Sequence, residues 1–184
     1  ELNEYLKIPT GAKKIVLAGN PNVGKSVLFN ALTGMYVDVS NYPGTTLDIS
    51  YGSYQADVII DTPGVYGISS FNDEERIARD VILGADLVIN IVDAAHLERD
   101  LFLTQQIIDT GKPVIVALNM VDEAKRKGIA INIPLLSKLL GVPVIPMVAV
   151  TGEGIGDLQD SLGQACPGIV TPGLQDKLSE KIKM

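Results

Sequence analysis

Residues 19–26 read GNPNVGKS: a glycine, four residues, a second glycine, a lysine and a serine. An apolar β-branched run at residues 15–18 precedes them, and a helix-like segment at residues 25–33 follows. Glycines at those positions let successive backbone N–H groups point at one anion without Cβ obstruction, and a helix starting there adds its positive end. The chemistry this supports is the cradling of a nucleoside triphosphate. Gly19, Asn20, Pro21, Asn22, Val23 and Gly24 would supply the backbone, Lys25 would bridge the β- and γ-phosphates, Ser26 would place its hydroxyl on Mg²⁺, and Val27 leads into the helix.

A second apolar run, residues 58–60, ends on Asp61 and breaks at Thr62, Pro63 and Gly64. In a phosphate-loop protein the acid at that strand end holds the Mg²⁺ shell. The Gly64 N–H would then contact the γ-phosphate, and loss of that phosphate would release the chain from Val65 to roughly residue 71. Another Mg²⁺ hydroxyl is expected between the first helix and the next strand. The stretch NYPGTT supplies Gly44 and two candidates, Thr45 and Thr46.

The base is read from LNMVD. Asn119 and Asp122, three residues apart at the end of a strand, can offer an amide to a purine and a carboxylate to paired N–H donors. Guanine has such a pair and adenine does not. With Met120 between them, the pattern is similar to the N-K-x-D guanine motif, methionine replacing the lysine stem that packs on the base. The same two residues would also serve as a helix cap and a first-turn acid, a bland alternative that the phosphate loop makes less attractive.

These residues need a scaffold that brings strand ends together. Apolar runs at residues 15–18, 58–60, 87–92, 114–118 and 142–148 alternate with helix-like segments at 25–33, 73–83, 98–109, 121–127, 134–140 and 155–164. That order predicts βαβ units and a mostly parallel sheet covered on both faces, with ligands outside the carboxyl ends of the strands. Residues 47–54, just before QADVIID, predict an antiparallel hairpin strand at one edge. The domain reading is a leader over 1–13, a nucleotide domain over 14–165, and a tail or the start of a helical linker over 166–184.

At 184 residues with a net charge of −7, the chain is one domain in size and a poor nucleic-acid surface. The basic run KRK at residues 125–127 reads as the cationic end of a helix. One cysteine and one histidine exclude a disulfide framework and clustered soft metal ligands. No apolar run approaches the ~18 to 20 residues of a spanning helix, so the chain reads as soluble and intracellular. It starts with Glu, which suggests a fragment of something longer.

Taken together, GNPNVGKSVLFNALTG, VSNYPGTTLD, DTPGVYGI and IVDAAHLERDLFLTQQIIDTGKPVIVALNMVDEAKRKGI resemble the phosphate loop, the two switches and the base-side segments of the ferrous iron transport protein B family (FeoB). The likeness runs from about Ile15 to Leu162. It implies a Ras-like α/β fold with a six-stranded, mostly parallel sheet and one antiparallel edge strand. It favours Thr46 over Thr45 for Mg²⁺, and implies a GTPase that regulates ferrous iron uptake by a covalently linked helical segment and membrane permease at the cytoplasmic face of the inner membrane. The partners implied are GTP and GDP, with no nucleic acid; a homo-oligomer is left open.

Three departures from the family pattern stand out. Tyr42 takes the place of a usual tryptophan, Val27 that of a threonine, and Val148, Ala149 and Val150 form a base-side loop where Ser-Ala is more common. The Ala149 N–H can still face the guanine O6, but without the bracing hydroxyl GDP release is expected to be fast. A further point is Val65, at the position where Ras-type enzymes carry a water-orienting glutamine. Related GTPases with an apolar residue here use K⁺ held by a phosphate-loop asparagine; the matching residue is Asn22, which would otherwise be a turn former. The rival readings are a ribosome- or tRNA-associated GTPase, a nucleotide-gated module that does not hydrolyse, and an ATP-specific protein.

Overall fold

The computed structural model describes residues 2, 6–34, 37–69 and 72–169. Residues 170–184 of the expected tail and the far end of the expected mobile loop, residues 70–71, lie outside the described residues. Among the described residues the strands are β1 (Lys14–Gly19), β2 (Val37–Asn41), β3 (Asp48–Tyr54), β4 (Asp57–Asp61), β5 (Leu87–Asp93), β6 (Val114–Asn119) and β7 (Val144–Pro146). The helices are α1 (Lys25–Thr33), α2 (Asp73–Leu83), α3 (Leu97–Asp109), α4 (Val121–Arg126), α5 (Ile133–Leu140) and α6 (Ile155–Ser161).

One sheet forms in the order β2-β3-β4-β1-β5-β6-β7. The central strands are buried on both faces because alternate side chains feed two cores. Val16 and Ala18 of β1, Val88 and Val92 of β5, and Val116 and Leu118 of β6 join α2, α3 and α5 on one face. Ile15 and Leu17, Ile89 and Ile91, and Ile115 and Ala117 join α1 and α6 on the other. Ile89 is fully buried, and its replacement by alanine would cost about 2–5 kcal/mol.

The sheet has one strand more than the six expected. Among its strands β3 alone runs against the others, pairing antiparallel with both β2 and β4, so the edge is β2 rather than the reversed strand. The VDVSN sequence of β2 puts Val37 and Val39 on one face, yet that face is exposed, Val39 retaining 62% of its surface. Backbone pairing with β3, from Val37 opposite Gly52 to Asn41 opposite Asp48, holds it instead. The run at 142–148 shortens to three residues, Val144–Pro146, starting just after Pro143, and the last helix passes into a 3₁₀ turn at Leu162–Gln164.

The two ends differ from the leader and tail expected of them. Leu2 and Leu6 are buried in the larger core, and Lys7 N–H donates to the Tyr51 hydroxyl at 3.3 Å. Cys166 pairs with Val114 at the start of β6, and Ile169 N–H donates to Leu140 O at 2.8 Å. The packed unit therefore extends to both sides of residues 14–165. The basic residues Lys125 and Arg126 occupy the last turn of α4, as the charge pattern predicts.

Candidate functional site

Strands β1, β4 and β6 all end at the same rim of the sheet, and the sequence-selected residues follow those ends. The phosphate loop leaves β1 at Gly19, where a Cβ would lie 2.8 Å from Ile91 O, and enters α1 through Gly24 at φ +90°. Asn22 also has a positive φ, 65°, a conformation asparagine tolerates better than most residues. Its side chain is exposed and takes no hydrogen bond from another described residue. Residues 20–22, 24–27 and Gly64 line a cavity of about 440 Å³. Ser26 and Val27 are exposed along it.

Across this cavity the Lys25 ammonium pairs with the Asp61 carboxylate and donates to the Thr62 carbonyl. Burial pushes the Asp61 carboxyl above the usual carboxylate range, against the opposing pull of the Lys25 charge and hydrogen bond. Thr62 itself faces inward: its hydroxyl donates to Leu17 O at 2.9 Å and pins the end of β4 onto β1. Pro63 and Gly64 then bring the chain against the phosphate loop, where a Cβ on Gly64 would come within 3.1 Å of Pro21 Cα. Val65 N–H donates to Gly19 O, while the valine side chain is buried in the larger core.

Between α1 and β3 lies the loop of residues 41–47. Thr45 is committed to it, its hydroxyl donating to Tyr42 O at 2.9 Å and accepting from Leu47 N–H at 3.1 Å. Thr46 is exposed, and its hydroxyl has no partner among the described residues. Gly44, at φ +80°, makes the turn.

Asn119 is buried and does not cap a helix. Its Nδ2 donates to Val23 O and its Oδ1 accepts from Ala149 N–H, both at 2.9 Å, so one amide ties the phosphate loop to the 148–150 loop. The cap position of α4 belongs to Met120 at φ 61°, whose Cε would be 3.8 Å from a Cβ on Gly24. Asp122 lies in the first turn of α4, with Arg126 Nη2 3.5 Å away. Val148 and Ala149 are buried, Val150 is exposed, and Val148 N–H closes the loop onto Glu153 O at 2.9 Å.

Sequence reasoning passed over Asp100 of α3. This carboxylate, 2% exposed, accepts from Asn20 Nδ2 and Arg99 Nε at Oδ1 and from Asp93 N–H at Oδ2, at 2.8–2.9 Å. Burial raises its pKa despite those donors. It fixes the start of the phosphate loop to the end of β5. The acid in LERDL has no periodic signature that separates it from a solvated helix position; only its burial reveals it.

The chain matches the family model for ferrous iron transport protein B over residues 13–162. It is 47% identical over 159 residues to the Fe(2+) transporter FeoB of Legionella pneumophila (strain Paris), and 44% identical over 155 residues to that of Escherichia coli (strain K12). Those alignments cover 80% and 79% of this chain but only 21% and 20% of the relatives, so the chain spans about a fifth of their length. Among solved structures, a GDP-bound S. thermophilus NFeoB mutant superimposes with a TM-score of 0.81 at 40% identity, covering 85% of this chain and 62% of that one. The cytosolic domain of L. pneumophila FeoB gives 0.78 at 42% identity, covering 85% and 65%. The GMPPNP form of the T. maritima FeoB cytosolic domain gives 0.76 at 43%, covering 82% and 62%.

Proposed function

This chain belongs to the ferrous iron transport protein B family as a G domain, and on that footing we propose that it binds GTP, hydrolyses it to GDP and phosphate, and so regulates ferrous iron uptake through a membrane permease elsewhere in the full-length protein. The observation that carries the reading is a phosphate-loop cavity lined by Lys25 and Gly64, with Asp61 paired to that Lys25 and Asn119 joining the phosphate loop to the base-side loop. In the full protein the domain would work at the cytoplasmic face of the inner membrane, with residues 166–184 leading toward a helical segment.

The geometry supports the following roles. The N–H groups of the phosphate loop and the α1 N-terminus hold the phosphates, and Lys25 leaves Asp61 for the β- and γ-phosphate oxygens. Asp122 takes the guanine N–H pair and Met120 covers the base, while the Ala149 N–H, bonded to Asn119 Oδ1 in this structure, turns from that bond to meet the guanine O6. Asn119 offers its amide to the purine, and the same amide braces the two loops in this structure.

The donor set fits Mg²⁺. Two unbonded hydroxyls, Ser26 and Thr46, and the Asp61 carboxylate are all hard oxygen ligands. Among the described residues no group of three or more His, Cys, Asp or Glu could hold a metal alone, which suits an ion that arrives with the phosphates. When bound, Mg²⁺ neutralises charge developing on the β- and γ-oxygens. That Thr45 is committed to its loop and Thr46 is not supports Thr46 as the ligand.

Val65 cannot orient water: its side chain lies in the core. This supports a slow intrinsic rate and K⁺ held by the uncommitted Asn22 side chain as the missing positive charge. GTP turnover, followed by phosphate release, should rise when Na⁺ is replaced by K⁺, and Asn22→Ala should remove the rise; equal rates in both salts exclude the cation. The buried Val65 equally favours a second reading, a nucleotide-gated module with negligible hydrolysis. Absence of turnover with Mg²⁺ and K⁺, together with a GDP-induced rise in Tm, would select it. GDP release should be fast, which stopped-flow displacement measures directly.

A further inference from the structure

The first-switch loop, residues 41–47, is closed on itself. Asn41 Nδ2 and Tyr42 N–H both donate to Leu47 O, at 3.1 and 2.8 Å, and Thr45 donates through its N–H and its hydroxyl to Tyr42 O, at 3.1 and 2.9 Å. A loop so bonded moves as one piece, so the position of Thr46 follows the anchorage of Tyr42. That anchorage is on α2. The Tyr42 ring packs against the larger core, and its hydroxyl donates to Asp80 Oδ2 at 3.0 Å. Asp80 lies seven residues beyond Asp73, about two helical turns from the point where the second switch enters α2.

With Tyr42 held there, the phosphate-loop cavity is lined by residues 20–22, 24–27 and Gly64, and no described residue of the first switch reaches it. Thr46 stays exposed and unbonded. We propose that the Tyr42–Asp80 hydrogen bond is a clasp holding the first switch open, and that these two positioning residues set how readily Thr46 closes over a Mg²⁺-bound triphosphate. The proposal rests on the GTPase reading. A contact made in the open state and lost on closure weakens only those ligands that require closure. A nucleoside triphosphate, whose γ-phosphate draws the loop in, meets that cost; a diphosphate does not. The clasp therefore tilts the domain toward GDP.

The test compares binding of fluorescent mant-GMPPNP and mant-GDP, each with Mg²⁺, to the wild type and to three variants. Tyr42→Phe keeps the packed ring and removes the hydroxyl. It should bind the triphosphate analogue roughly three- to tenfold more tightly, with GDP affinity unchanged. Asp80→Ala should do the same from the other side of the contact, and serves if Tyr42→Phe does not fold. Asp80→Asn keeps an acceptor and should behave like the wild type. An unchanged triphosphate-to-diphosphate ratio in both Tyr42→Phe and Asp80→Ala, or a ratio moved toward GDP, overturns the clasp. Failure of the wild type to bind either nucleotide would instead overturn the GTPase reading itself.

Discussion

The Lys25 ammonium and the Asp61 carboxylate neutralise each other in direct contact beside the phosphate-loop cavity, with side chains only 11% and 19% exposed. Each occupies the place that a component of a Mg²⁺ nucleotide would take from the other. Lys25→Ala leaves the acid buried without its partner, a loss of about 1–3 kcal/mol. The expected outcome is a lower Tm without nucleotide and no protection by GDP. A variant with the wild-type Tm would mean that the pair contributes nothing to the free domain.

Asp61 also sets a pH dependence. Burial raises its pKa, so the proton competes with Mg²⁺ at a higher pH than it would for an exposed carboxylate. Apparent Mg²⁺ affinity in the GDP complex should be flat above that raised pKa. Below the raised pKa it should fall, about tenfold per unit. Magnesium titrations across the acidic range, read by nucleotide fluorescence, check this; a flat response down to the ordinary carboxylate range would count against Asp61 as part of the metal shell.

A third expectation concerns the brace. A Cβ at Gly24 would sit 2.4 Å from Asn119 Nδ2, at a backbone φ of +90° that L side chains rarely adopt. Gly24→Ala should push Asn119 off both Val23 and Ala149 and so disturb the phosphate and base sides together. Asn119→Ala should reproduce the loss of nucleotide and, by orphaning two buried backbone groups, lower stability by about 2–4 kcal/mol. Calorimetry with GDP on both variants tests the shared cause: retained affinity in Gly24→Ala would show that the phosphate loop stands without the amide.

Much of this site could be read in advance because its constraints are local. Gly19, Gly24 and Lys25 at fixed spacing, Asp61 closing an apolar run, and Asn119 three residues before Asp122 each state a requirement of backbone or charge within a few residues. The central strands were legible for the same reason, since runs buried on both faces are apolar throughout. What escaped depends on distant partners. Strand β2 is held by β3 and buries no apolar face, and Asp100 acquires its meaning from Asn20, 80 residues away. The tyrosine at residue 42, where a tryptophan is usual, has a hydroxyl that finds Asp80, 38 residues on. Asn119 bonds Val23 and Ala149, partners far away in the chain that no local spacing announces.

Base choice gives the last prediction. Asp122 stands in the first turn of α4 with its side chain 38% exposed, and Arg126 is far enough away, at 3.5 Å, to leave it available as an acceptor. A carboxylate can only accept there, which suits the adjacent N1–H and 2-amino donors of guanine. Asp122→Asn offers one acceptor and one donor, the complement of xanthine, which keeps N1–H and carries an oxygen at position 2. Since the lost bonds are charge-assisted, guanine affinity should fall by about two orders of magnitude while xanthine nucleotides gain. Competition of GDP and XDP against a fluorescent nucleotide measures the exchange. If the variant keeps its preference for GDP, the base is held by some group other than Asp122.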